Sequence, residues 1–81
     1  MAYNGEGIIR RAGMNNGTLE IELKTTIPPI IDWKSYTAPA AFQKEYLAIA
    51  LIALTSNRRV FCSVSDDPQG PWIISKIGLV V

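Results

Sequence analysis

Nine apolar residues in succession, Tyr46 to Leu54, limit what this chain can fold into more than any other feature: Tyr-Leu-Ala-Ile-Ala-Leu-Ile-Ala-Leu. Ahead of them Thr37 is a candidate N-cap, Pro39 falls in a first turn, and Asn57 supplies a stop. The sequence therefore predicts a helix from about Ala38 to Thr55. Side chains on a helix step round by ~100° per residue, so nine of them point in every direction, and every side needs cover. A chain of 81 residues is predicted to form one small domain spanning residues 1–81. Its strands can cover one side of such a helix; the other calls for a second chain. The expected homo-oligomer interface comprises Tyr46, Leu47, Ala50, Leu51, Ala53 and Leu54, with Ala48, Ala50 and Ala53 small enough for close helix approach. The intramolecular alternative is a groove closed by residues 25–37. Nine apolar residues cannot span a ~30 Å hydrocarbon core, which takes about 20.

The rest of the chain reads as strands around that helix. In Thr18 to Lys24, Leu19, Ile21 and Leu23 alternate with Glu20, Glu22 and Lys24, the period of two of a half-buried strand. Asn16-Gly17 just before it is a hairpin turn signal, because both residues accept positive φ. Ile8 to Met14 is then the partner strand. Its parity is broken where Ile8 and Ile9 are followed by Arg10 and Arg11, and a bulge near Gly13 would restore it. Arg10 and Arg11 are expected to meet Glu20 and Glu22 across the hairpin as solvated cross-strand pairs. Pro28 and Pro29 bar a central strand or helix there, leaving Ile30 to Trp33 as a short edge strand. Arg59 to Ser65 places Val60, Cys62 and Val64 on one face. Asp66 to Pro71 has turn composition, and Trp72 to Val81 is a final apolar strand. The order β-β-β-α-β-β describes a mainly β protein with one helix.

Chemistry-bearing residues are few. The chain has no His, which removes the commonest general base and every His-containing metal site. Its one cysteine, Cys62, leaves no internal disulfide and no cysteine cluster for zinc, and reads as a buried inert thiol. The carboxylates form no recognisable acid–base pair, and neither a phosphate loop nor a nucleophile elbow occurs. No catalytic residue, metal ligand or cofactor is predicted. Eight Lys and Arg against seven Asp and Glu give a net charge of +1, with no footprint for duplex nucleic acid. Binding residues are a better prospect. Aromatic rings beside polar turn residues offer a sugar both a flat apolar surface and hydrogen-bond partners. Tyr3, Asn4, Asp32, Trp33, Ser35 and Tyr36 are the candidate ligand-binding set. The opening residues contain no basic segment followed by an apolar run. No export signal is expected in the sequence as written; the chain would be secreted if one was removed and cytoplasmic otherwise.

Phe42-Gln43-Lys44-Glu45-Tyr46-Leu47, Thr55-Ser56-Asn57-Arg58-Arg59-Val60 and Pro71-Trp72-Ile73-Ile74-Ser75-Lys76-Ile77 together resemble the receptor-binding B subunits of AB5-type bacterial toxins. The nearest branch is that of the subtilase cytotoxin and pertussis-like toxins, with their short uncharacterised bacterial relatives. The resemblance covers roughly residues 42–79. It implies a small five-stranded OB-like barrel with one apolar helix, assembled as a homopentameric ring with helices lining its pore, binding cell-surface glycans beside a catalytic A-subunit-like partner. The family's Tyr-x-Ser motif for sialic acid has only Tyr3-Asn4-Gly5-Glu6 as its counterpart here, without the serine. The family's disulfide and export signal are also missing. Two competitors stand beside the lectin reading. One is an OB-fold binding single-stranded nucleic acid through Arg10, Arg11, Arg58, Arg59 and Phe61. The other is a self-assembling structural protein without a ligand.

Overall fold

The computed structural model describes residues 2–65 and 67–80. Five strands and one helix follow each other as β1 (Ala2–Asn15), β2 (Thr18–Thr25), β3 (Lys34–Thr37), α1 (Gln43–Ser56), β4 (Val60–Ser65) and β5 (Ile74–Leu79), with a 3-10 turn over Ala40–Phe42 leading into α1. The strands form one antiparallel sheet in the order β3-β2-β1-β4-β5. This is the mainly β, one-helix arrangement expected from the sequence. Among the described residues the two sheet edges meet at one point, where Thr37 forms a parallel bridge with Ile73. There the Thr37 N–H donates to the Trp72 carbonyl at 2.9 Å. The sheet is therefore curled toward an OB-like barrel and open along the rest of that seam.

Its central strand does two jobs. Ala2 to Gly7 of β1 pairs with β4, and Gly7 to Asn15 pairs with β2. Gly7 is the residue common to both registers. A Cβ there would lie 2.7 Å from the Lys24 carbonyl oxygen and 2.6 Å from Leu23 Cδ1, so the strands pass too closely for a side chain. The β1–β2 hairpin closes through Asn16 and Gly17, both at positive φ (54° and 79°), as the Asn-Gly signal requires.

The core is built from the alternation read in the sequence. Leu19, Ile21, Leu23, Val60, Cys62 and Val64 are buried, joined by Tyr36, Ile74 and the inner side of α1. That side consists of Tyr46, Ala50 and Ala53. Two alanines among these three let the helix axis lie close to the sheet, where it packs chiefly on β1.

Several boundaries differ from expectation for physical reasons. Thr37 does not cap the helix; it ends β3, and Pro39 has the extended ψ of 136°. The edge strand lies at Lys34–Thr37 rather than Ile30 to Trp33. Residues 26–33 are instead tied down as a loop. The Thr25 hydroxyl donates to the Pro29 carbonyl at 3.0 Å and accepts the Ile31 N–H at 2.6 Å. The β1 bulge falls between Ile9 and Arg11, not near Gly13. A second register shift, between Ser63 and Val64, leaves Ser75 as an extra residue in the last strand, so Ile74 is buried and Ser75 exposed. Asn57 does stop the helix, in the left-handed conformation (φ 59°), its N–H donating to the Ala53 carbonyl. The predicted turn and final strand include Asp66 and Val81, which lie outside the described residues. No helix among the described residues is long and apolar enough to cross a membrane.

Two glycines separate close packing from mere tolerance. Gly7→Ala is expected to cost about 1–3 kcal/mol, because backbone must move. Gly13→Ala, with nothing within 4 Å of the new carbon, should change stability by less than ~0.5 kcal/mol. Urea denaturation of the two variants checks this; equal midpoints would contradict the close β1–β2 approach at Gly7.

Candidate functional site

The bulge at Arg10 sets the chemistry of the outer sheet face. Ile9 pairs with Leu23 and points inward, Ala12 pairs with Ile21 and does the same, and between them Arg11 pairs with Glu22. The extra residue is Arg10, so two guanidinium groups share one carboxylate. Arg10 Nε donates to Glu22 Oε1 at 2.9 Å, and Arg11 Nε stands 3.7 Å from the same oxygen. The guanidinium of Arg10 also lies over the Trp33 ring, 4.3 Å from its centroid. Asp32 holds the loop before that ring, its Oδ1 accepting the Trp33 N–H at 2.9 Å.

Beside this cluster a groove of about 250 Å³ crosses the outer face of β1, β2 and β3. Arg11, Gly13, Asn15, Glu20, Glu22 and Ser35 line it. Asn15 Nδ2 lies 3.5 Å from Glu20 Oε2, at the limit of a hydrogen bond. The groove thus offers guanidinium and amide donors, two carboxylate acceptors and a hydroxyl, which does both. In OB-folds the face of the second and third strands, with the neighbouring loops, is where oligosaccharides and oligonucleotides bind.

The sequence-predicted binding residues fall into three places. Ser35 lines the groove, and Asp32 and Trp33 stand next to it through Arg10. Asn4 is on another part of the outer face, over the β1–β4 pairing, its side chain hydrogen-bonded to the Ser63 hydroxyl. There it borders a second concavity of about 440 Å³ with Glu6, Ile27, Phe61 and Lys76. Tyr3 and Tyr36 are corrections. They are 4% and 1% exposed, in the core, and present no ring to a ligand. The Tyr3 hydroxyl lies 3.0 Å from both the Glu6 and Ile27 carbonyls, and so ties β1 to the 26–33 loop. Sequence reasoning treated Arg11, Glu20 and Glu22 as solvated pairs and did not select Asn15. The signal was there in their common parity, but which strand would bring Ser35 beside them was not.

The expected interface residues also divide. Tyr46, Ala50 and Ala53 face the chain's own sheet. They are corrected from interface to core: Ala50 and Ala53 are small enough for the helix to meet β1, and the Tyr46 ring packs into the core cluster with them. Leu47 and Leu54 are half-buried, and Leu51 is exposed. For the chemically reactive groups, Cys62 lies in the core and burial pushes its thiol up to about 11. Among the described residues no three His, Cys, Asp or Glu side chains gather as a metal-holding group.

Two titrations test this geometry. The Arg10 hydrogen bond, ahead of the charges of Arg10 and Arg11, holds the Glu22 carboxyl below its ordinary value. A carboxyl depressed in the folded state contributes stability above its unfolded pKa and loses it as the pH falls through the folded value. NMR titration should place Glu22 below an ordinary glutamate, and Arg10→Ala should move it upward; no movement would remove the assigned pairing. The Cys62 thiol should resist a disulfide reagent at pH 8 in the native protein and react fully in guanidinium. Rapid native reaction would contradict its burial. Comparison with protein-family models, with curated proteins and with solved structures finds no significant match, so the toxin-subunit resemblance rests on the residues quoted for it.

Proposed function

We propose that the protein is a non-enzymatic, self-assembling binding module that presents several copies of a glycan-binding groove. The observation that carries this reading is the outward side of α1. Ala48, Leu51 and Ile52 lie there, with Leu51 48% and Ile52 47% exposed. Phe42 at the start of the helix is exposed as well. A helix with apolar residues on both sides, and only one side covered by its own sheet, calls for a second surface. A second copy of the chain is the occupant of this reading, and a ring of five is the form that the toxin-subunit resemblance suggests.

The ligand assignment rests on the groove over β1, β2 and β3 and its neighbour Trp33. Single sites on so shallow a surface bind weakly, near millimolar, or about −4 kcal/mol. Several identical sites facing one membrane raise avidity by roughly 10²–10⁴. The nucleic-acid alternative is disfavoured because Glu20 and Glu22 line the groove and would repel phosphates. The resemblance also implies a catalytic A-subunit-like partner, which stays part of the proposal.

Leu51→Asp and Ile52→Asp should give a folded monomer, because the new carboxylate lies in the assembly contact and outside the core. Native mass spectrometry and circular dichroism measure both properties. An unsubstituted chain that stays monomeric near 9 kDa at micromolar concentration would end the assembly reading. Ala50→Glu is not an equivalent test, since Ala50 is wholly buried against its own sheet and a charge there unfolds the domain.

A further inference from the structure

We infer that the groove over β1, β2 and β3 selects uncharged sugars with adjacent hydroxyls and rejects acidic ones; this rests on the glycan reading above. Two carboxylates, Glu20 and Glu22, line the groove against one guanidinium, that of Arg11. The second guanidinium offsets Glu22, which leaves Glu20 as the carboxylate that an incoming ligand meets. Arg10 is committed to Glu22 at 2.9 Å and to the face of Trp33 at 4.3 Å. Arg11 is itself only 3.7 Å from Glu22, so its charge is partly answered before any ligand arrives.

A carboxylate-bearing sugar entering this groove would meet Glu20, whose side-chain partner among the described residues is the long contact from Asn15 at 3.5 Å. Like charges brought together in a partly desolvated site oppose binding. A neutral sugar meets the opposite situation. Two adjacent hydroxyls can both donate to one carboxylate, whose two oxygens accept in the same plane. The hydroxyl oxygens then accept from Arg11, the Asn15 amide or the Ser35 hydroxyl. Gly13 leaves the floor open, with nothing within 4 Å of the position a side chain would take.

The test is a glycan array probed with the intact assembled protein, containing neutral, sialylated and uronic-acid-bearing glycans. Retention of neutral glycans at least tenfold above acidic ones is the expected result. Glu20→Gln should narrow that ratio, by weakening neutral binding and removing the repulsion. Retention of acidic glycans equal to or above neutral ones overturns this inference and leaves the glycan reading standing. Retention of none by an assembled protein overturns both. Discrimination by the unsubstituted protein decides the matter even if the Glu20 variant folds poorly.

Discussion

Everything in this fold depends on one strand being shared. β1 is fourteen residues long, and its first half is paired to β4 while its second half is paired to β2. Where β1 changes partner the neighbouring strand passes close to its backbone, and that close passage requires room. Gly7 supplies it where both registers meet, by letting the Lys24 carbonyl approach to a distance no side chain would allow. The bulge at Arg10 follows three residues later and increases the local twist. Curling the sheet this far brings β3 and the start of β5 close enough for the bridge between Thr37 and Ile73. The same curl leaves a hollow that one helix fills.

The bulge has a second consequence, on chemistry. In an unbroken strand Arg10 and Arg11 would point to opposite faces, and one of them would enter the core. Inserting one residue places both outside, against a single carboxylate. Arg10 then bridges two elements distant in sequence, Glu22 on β2 and Trp33 before β3. An exposed ion pair contributes little to stability by itself. Its effect here is positional: it orients the aromatic ring beside the groove. The same pairing of cation and aromatic ring recurs elsewhere. Lys34 lies 4.5 Å from the Trp72 ring centroid, and Lys76 lies 5.6 Å from that of Phe61. Phe61 itself lies across Gly78, where a Cβ would fall 2.0 Å from its ring, so the glycine makes space for an aromatic on the outer face.

What was legible in the sequence was whatever depends on neighbours along the chain. Leu19, Ile21 and Leu23 announced their face by alternation, Asn16-Gly17 announced the hairpin, and Asn57 announced the helix end. Features set by distant partners were not legible. Thr37 has the chemistry of an N-cap, yet its N–H is taken by Trp72 across the seam and it stays in a strand. Tyr3 looked like a surface aromatic beside polar residues. Its ring enters the core because Gly5 leaves it space, a Cβ there falling 2.4 Å from the Tyr3 hydroxyl oxygen. The groove was hidden for a related reason. Its residues come from three strands, and only the register between them puts Ser35 opposite Glu22.

The helix shows how far an apolar run can be read. Uniform apolarity establishes that both sides of a helix need cover, but not which side faces its own chain. The alanines decide that. Close approach to a sheet favours small side chains, so Ala50 and Ala53 turn inward, and the larger Leu51 and Ile52 are left outside. The consequence for β2 is geometric. Leu19, Ile21 and Leu23 face the core that α1 completes, while Glu20 and Glu22 face the groove on the other side of the same strand. Leu51 and Ile52 are exposed on the side of α1 turned away from the sheet, and Glu20 and Glu22 lie on the side of β2 turned away from the core. The period of two in a single strand is what keeps its apolar residues on the core side and its carboxylates on the groove side.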